Sequence, residues 1–159
     1  MVKMRPEEVL GTHDQIAHWK TQGHKIVFTN GCFDIIHPGH IKYLQEAKSL
    51  GDKLVIGINS DSSVRKLKGE GRPIFNLIDR VKVLKSIQFV DLVTPFDTPT
   101  PLELIKKVKP DFLVKGGDYM LENIVGSKFV LSTGGIVKAL KFVEGYSTTE
   151  IIDRIKKLN

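Results

Sequence analysis

Along the chain, short apolar runs rich in β-branched residues alternate with longer stretches whose apolar positions recur three and four residues apart. The runs at 25–30, 53–59, 90–95, 111–115 and 136–142 predict strands. The stretches at 6–21, 38–50, 76–87, 101–108 and 148–158 predict helices. Strand and helix in alternation imply a parallel sheet, so the predicted fold class is α/β, a five-stranded, mainly parallel sheet flanked by helices. The first two runs, Ile26 to Asn30 and Leu54 to Asn59, are almost wholly apolar, as strands covered on both faces must be, which puts them in the middle of the sheet.

End signals support the helices. Thr100-Pro101-Leu102-Glu103 offers an N-cap, a proline at the first helical position and an acid at the third. Ser147-Thr148-Thr149-Glu150 follows the same logic. Between predicted elements, 60–75 is polar, basic and glycine-containing, too long for a tight turn and suited to an active-site loop, and 118–127 is a second candidate for a mobile loop.

The 159 residues fit one domain, 1–159, with an N-terminal helical extension at 1–24 and a catalytic core at 25–159. With 41% hydrophobic and 26% charged residues the proportions are globular. No apolar run reaches the roughly 18 residues that a membrane span needs, so a soluble protein without a membrane partner is expected. Met1 to Arg5 is basic but leads into a polar segment, unlike a secretory signal, and the single Cys32 suits a reducing compartment. The expected location is cytoplasmic, and no Cys/His cluster predicts a protein-held metal. The net charge of +6 favours an anionic partner. The lysines are scattered and unaccompanied by an aromatic-rich strand, which argues against nucleic acid.

The chemistry concentrates where the first predicted strand gives way to a helix, at Phe28-Thr29-Asn30-Gly31-Cys32-Phe33-Asp34-Ile35-Ile36-His37-Pro38-Gly39-His40. Ligands bind at the carboxyl ends of strands in an open α/β sheet. Pro38 suits a first helical turn, and Gly39 removes the side chain that would block a phosphate. Two histidines three apart share one helical face, where protonated imidazoles would oppose the positive end of the helix dipole unless an anion lay between them. A phosphate resolves that conflict.

In this pattern, Gly31-x-Phe33-Asp34-x-x-His37-x-Gly39-His40, the chain resembles the HxGH nucleotidyltransferase superfamily, whose members transfer a nucleotidyl group and release pyrophosphate. The resemblance implies a Rossmann-like domain. Further matches run from Lys25 to about Lys156: Asn59-Ser60-Asp61, Lys66 to Pro73, Arg80, Leu113 to Tyr119 and Gly145-x-Ser147-Thr148-Thr149. These look like the adenylyltransferase half of bacterial ADP-heptose synthase, which adenylylates D-glycero-β-D-manno-heptose 1-phosphate for lipopolysaccharide. The implied form is a stand-alone adenylyltransferase that uses ATP, a sugar 1-phosphate and Mg²⁺, with a separate sugar kinase in the pathway and a homodimer as an implied possibility. Glycerol-3-phosphate cytidylyltransferases usually have threonine at the position of Cys32 and arginine at that of Phe142, and this chain has neither.

The resemblance also implies roles. His37 and His40 act on the phosphorus under attack, while Lys42 and Arg80 neutralise the β and γ phosphates, although Lys42 also fits a plain solvated helix position. Thr29, Asn30, Gly31, Cys32, Phe33, Gly39, Lys115, Gly117, Ser147, Thr148 and Thr149 line the nucleotide. Asp34, Asp61, Lys68, Arg72, Asp118 and Tyr119 meet the acceptor, with Asp34 facing either the acceptor or an adjoining lysine. Three other readings stay open here: a cytidylyltransferase for a small alcohol phosphate, a nucleotide-binding module without catalysis, and a nucleic-acid binder.

Overall fold

The structure, a computed structural model, describes residues 6–158, with side chains from Thr12 onward; the basic stretch at 1–5 lies outside the described residues. Helix α1, Pro6–Thr21, leads into five strands: β1 Ile26–Gly31, β2 Lys53–Asn59, β3 Leu92–Phe96, β4 Phe112–Gly116 and β5 Ile136–Leu140. Between and after them come α2 Pro38–Lys48, α3 Asp61–Lys68, α4 Leu77–Lys85, α5 Leu102–Val108, α6 Ser127–Ser132 and α7 Thr148–Lys156. The strands form one sheet in the order β3-β2-β1-β4-β5. All four pairings are parallel, where a mainly parallel sheet is expected from sequence.

Alternation along the strands divides the core in two. Val27, Leu54, Ile56, Val114 and Leu140 point to one face, where they meet Leu44 and Ala47 of α2 and Val81 and Leu84 of α4. Their neighbours Ile26, Phe28, Val55, Leu113 and Val137 point to the other, against Ile105 and Val108 of α5 and Val130 of α6. Ile16 and Trp19 of α1 are buried in this second layer, so the helical extension is part of the core. Each fully buried Ile, Leu or Phe contributes about 1.5–3 kcal/mol relative to exposure, and β1 and β2 carry most of them.

From β1 the chain runs to β2 on one side of the sheet and reaches β4 on the other. The switch point that forms a ligand crevice in such sheets is therefore at the carboxyl ends of β1 and β4. There Gly31 ends one strand and Gly116 the other.

The differences from the predicted elements are local. The expected loop at 60–75 contains α3, with Ser60 as N-cap to the Ser63 N–H at 3.1 Å, basic residues in the last turn, and Gly69 at φ 99 closing it. Of its apolar residues Val64 is buried and Leu67 is exposed, so the 3.6-residue stripe that signals a helix is missing although both ends are marked. Likewise the second expected loop holds a short 3-10 turn, Leu121–Asn123, and ends where α6 begins. The N-cap position of α5 is Pro101 rather than Thr100, whose hydroxyl reaches the Leu102 N–H only at 3.5 Å. Finally, β5 ends at Leu140, which leaves Phe142 outside the sheet and 74% exposed. Among the described residues no helix is long and apolar enough to cross a membrane.

Candidate active site

His37 is the N-cap of α2, with Pro38 in the first turn. Its Nδ1 accepts the His40 N–H at 3.4 Å, and the Nδ1 of His40 accepts the His37 N–H at 3.3 Å. This is a capping box built from two imidazoles. The rings stack at 3.8 Å with 28° between their planes. Because each Nδ1 is an acceptor, the proton of each neutral ring is on Nε2, and both Nε2–H groups are free to donate to a ligand. Burial holds the pKa of His37 below its ordinary value; burial first, and then the neighbouring His37, push that of His40 down to about 4. Both shifts favour the neutral imidazoles, each with an Nε2–H donor, where the sequence alone suggests two cations.

The glycines beside the pair have steric work to do. A Cβ on Gly39 would lie 2.9 Å from the His37 ring and 2.9 Å from the Cβ of Tyr146. On the inner side Phe33, at φ 47 and buried, tilts its ring 5.5 Å from His40 and fills the space next to Gly31. Across the crevice Gly117, at φ 118, is covered by Phe142 and Tyr119, whose ring atoms lie 2.9 and 3.0 Å from where its Cβ would be.

A second helix start faces the first. Ser147 caps α7 by accepting the Glu150 N–H at 3.2 Å, and the Thr148 hydroxyl reaches back to the Ile35 carbonyl at 3.4 Å. The ring of Tyr146 lies 6.0 Å from that of His37 at 17°. The free N–H groups and positive dipole ends of α2 and α7 thus open beside one another, an arrangement suited to a polyphosphate.

Cations complete the field. Cys32 feels Lys68, Arg80, Arg72 and Lys115, yet burial outweighs them and pushes its thiol pKa up. Burial lowers the pKa of Lys115 at the end of β4. Lys68, Asp118, Tyr119 and Thr149 are exposed around the rim, while Asn30, Gly31 and Cys32 are partly exposed at the end of β1.

Several expected ligand contacts are occupied by protein. Arg80 is 1% exposed and donates to the carbonyls of Phe75 at 3.0 Å, Cys32 at 2.6 Å and Asn59 at 2.9 Å, while pairing with Asp61 at 2.7 Å. It staples the ends of β1 and β2 to the loop at 69–76 and does not face the crevice as a phosphate ligand would. Asp61 pairs with Arg80 through Oδ1 and keeps a third of its side chain exposed. Asp34 is buried and accepts from Arg72 Nε at 2.7 Å and from the Ile74 and Phe75 N–H groups, so its partner is an arginine and two amides, neither an acceptor nor a lysine. Burial pushes the Asp34 carboxyl up, but the Phe75 and Ile74 amides and Arg72 together hold it below the usual range. Thr29 is fully buried within β1, its hydroxyl 2.6 Å from that of Tyr43. Lys42 is exposed on the outer flank of α2, lining a crevice of about 490 Å³ with Tyr43, Glu46, Lys141, Phe142 and Glu144.

Asp34 is paired with Arg72 and Asp61 with Arg80, and among the described residues no group of three His, Cys, Asp or Glu is placed to hold a metal. Tyr146 and Tyr43 are site residues that sequence reasoning does not reach. The available signal for Tyr146 is its place immediately before an N-cap, where side chains commonly fold onto a neighbouring element.

The chain is similar to known proteins over most of its length. The chain is 55% identical over 151 residues to the bifunctional protein HldE of Marinomonas sp. (strain MWYL1), covering 95% of this chain and 31% of that protein. It is 52% identical over 163 residues to the bifunctional protein HldE of Haemophilus influenzae (strain PittEE), covering 99% of this chain and 34% of that one. It thus spans about a third of the length of these relatives. Among solved structures, the lipopolysaccharide core biosynthesis protein of Thermoplasma volcanium GSS1 superimposes with a TM-score of 0.62 at 30% identity, covering 79% of this chain and all of that one. Residues 28–154, from the middle of β1 into α7, match the cytidylyltransferase-like family, and they include His37 and His40, the four glycines of the crevice and both helix starts. The chain belongs to the cytidylyltransferase-like family of nucleotidyltransferases.

Proposed function

We propose that this chain transfers the adenylyl group of ATP to D-glycero-β-D-manno-heptose 1-phosphate, giving ADP-heptose and pyrophosphate. The observation that carries the reading is the 52–55% identity to the bifunctional HldE proteins over 95–99% of this chain. In the proposed reaction a phosphate oxygen of the sugar phosphate forms a bond to the α-phosphorus as the bond from that phosphorus to the β-bridging oxygen breaks. The leaving pyrophosphate takes the electron pair.

Charge grows on the oxygens around the α-phosphorus, and the Nε2–H groups of His37 and His40 supply donors there without reorganising. The N–H groups at the start of α7, with Ser147, Thr148 and Thr149, and the amides around Gly31 and Gly39 hold the triphosphate tail. Lys115 and Lys68 neutralise it, and Lys42 assists from the flank of α2. Arg80, Asp34, Asp61 and Arg72 act one step back, by fixing the loops that carry these groups. Gly117, Asp118 and Tyr119 border the sugar and nucleoside. Mg²⁺ belongs to the substrate, as Mg²⁺–ATP.

Residues 1–159 are proposed to work as one catalytic unit, a reading supported by the burial of Ile16 and Trp19 against the sheet. Phosphorylation of the sugar falls to a separate kinase activity, and assembly as a homodimer in the cytoplasm is part of the same proposal. Pyrophosphate release measured over a matrix of nucleoside triphosphates and phosphorylated acceptors tests it. Turnover with ATP and heptose 1-phosphate is the expected result, and turnover with no pair would overturn it.

A further inference from the structure

Tyr146 stands one residue ahead of the N-cap of α7 and lays its ring along His37. His37 thus has two ring neighbours, His40 with centroids 3.8 Å apart and Tyr146 at 6.0 Å. His40 in turn meets Phe33 at 5.5 Å, the two rings tilted by 52°. Four rings from three segments adjoin in series, with the two imidazoles in the middle.

The capping bonds alone leave His37 loosely held. At 3.3 and 3.4 Å they lie beyond the usual N–H to acceptor range, and they act in the ring plane, so they resist tilting poorly. His40 stacks on the imidazole at 3.8 Å, and the nearly parallel Tyr146 ring lies alongside it at 6.0 Å. The backbone is close as well, since a Cβ on Gly39 would lie 2.9 Å from the Tyr146 Cβ. The ring contact and this close approach join the first turn of α2 to the start of α7, the two segments that present donors to an anion.

We propose that Tyr146 is a positioning residue: its ring, packed alongside His37, limits the tilt of the imidazole, so that Nε2–H keeps its aim at the reacting phosphorus. The inference rests on the reading of His37 and His40 as the transfer centre. Tyr146 acts through His37, and the ring rather than the hydroxyl does the holding. Small errors of aim are costly in group transfer, where displacement by an ångström can lower a rate by about 10².

The test compares Tyr146→Ala and Tyr146→Phe in the full chain. Alanine is expected to lower kcat by about tenfold or more while the KM for ATP changes by less than about threefold, and phenylalanine is expected to restore kcat to within about twofold. In ¹H–¹³C NMR the His37 ring resonances, identified by their loss in His37→Ala, should move in the alanine variant and stay in place in the phenylalanine variant. Tyr146 is 45% exposed, so the alanine variant should fold, and Tyr146→Leu gives the same comparison with the space filled but no flat ring. An unchanged kcat in the alanine variant, an equal loss in the phenylalanine variant, or unmoved His37 resonances would each overturn the proposal. Normal turnover by His37→Ala would instead overturn the transfer-centre reading beneath it.

Discussion

His37 and His40 close the first turn of α2 upon each other, each ring nitrogen accepting the other's backbone N–H. The bonds that start the helix are also the bonds that fix the tautomers. A single substitution therefore tests two things, the cap and the donor, and the two can be separated by choice of replacement.

His40→Ala and His37→Ala are each expected to lower kcat by about 10²–10³, the usual cost of losing one donor to a charge that develops in the transition state. Binding of ATP should weaken far less. Losing the cap should cost roughly 1 kcal/mol of stability. His37→Asn keeps an N-cap acceptor but has no Nε2–H, so it should unfold close to the unaltered protein and still lose turnover. Steady-state kinetics beside urea unfolding reads both quantities, and near-normal turnover in both alanine variants would reject the site.

Protonation of the pair has a defined sign. In the unfolded chain His40 takes up its proton near 6.5, and in the folded protein only near 4. Between these values the unfolded state binds more protons, so His40 makes stability fall as pH drops from about 6.5 toward 4, with no further loss from this group below that. NMR titration of the free protein should put the His40 midpoint well below the ordinary value. His40→Asn should flatten the pH dependence of the urea midpoint across the same window, and a His40 midpoint above 6 would contradict the burial argument.

Arg80 offers a contrast between a charge aimed at ligand and a charge spent on the fold. Arg80→Met would leave the Cys32, Asn59 and Phe75 carbonyls and Asp61 without their donor, at a cost of about 3 kcal/mol in unfolding free energy. Arg80→Lys should recover little, since an ammonium cannot reproduce the planar fork. Unchanged stability together with lost turnover would return Arg80 to the phosphates.

This residue also marks what could be read from sequence. The sheet was legible because β1 and β2 are apolar on both faces, and the candidate site because His37, Gly39 and His40 adjoin the end of a strand. What a long polar side chain touches was not legible. Arg80 and Asp34 lie in motifs that resemble ligand-binding ones, yet their backbone partners lie 40 and 41 residues away for Asp34, and 5, 21 and 48 residues away for Arg80. No periodicity reports such pairings. α3 was missed for a related reason: it covers the site with polar and basic residues and buries little, so its capping signals stood without an apolar stripe. Tyr146 became visible only when α7 was brought against α2.

The loop at 69–76 is tied down by Asp34 as well as by Arg80. Asp34, its side chain fully buried, holds the Ile74 and Phe75 amides and Arg72. Asp34→Asn removes the charge and part of the acceptor capacity, and hydrogen exchange at Ile74 and Phe75 should become easier by about 1–3 kcal/mol. In the unaltered protein an ATP analogue should raise protection across 69–76, because Lys68 and Arg72 flank the phosphate crevice. Protection that ignores both the substitution and the analogue would show that this segment is neither latched by Asp34 nor a lid.

Substrate choice is the prediction on which the proposed activity stands or falls: ATP with heptose 1-phosphate should exceed CTP with glycerol 3-phosphate in kcat/KM by orders of magnitude. A heptose presents many hydroxyls, and a site that pairs them is left with unsatisfied polar groups when a three-carbon acceptor binds, which can discriminate by about 10⁴. Asp118 and Tyr119, exposed beside Gly117, are the groups available for such pairing. On the nucleotide side Phe142 sits over Gly117 with most of its surface in solvent, so it offers a flat apolar face and no cationic donor. Phe142→Arg should therefore weaken use of ATP relative to CTP. A competition assay with both substrate pairs, read by mass of the nucleotide product, decides the matter. Predominant CDP-glycerol from the unaltered protein would sink the heptose assignment and leave the histidine centre standing.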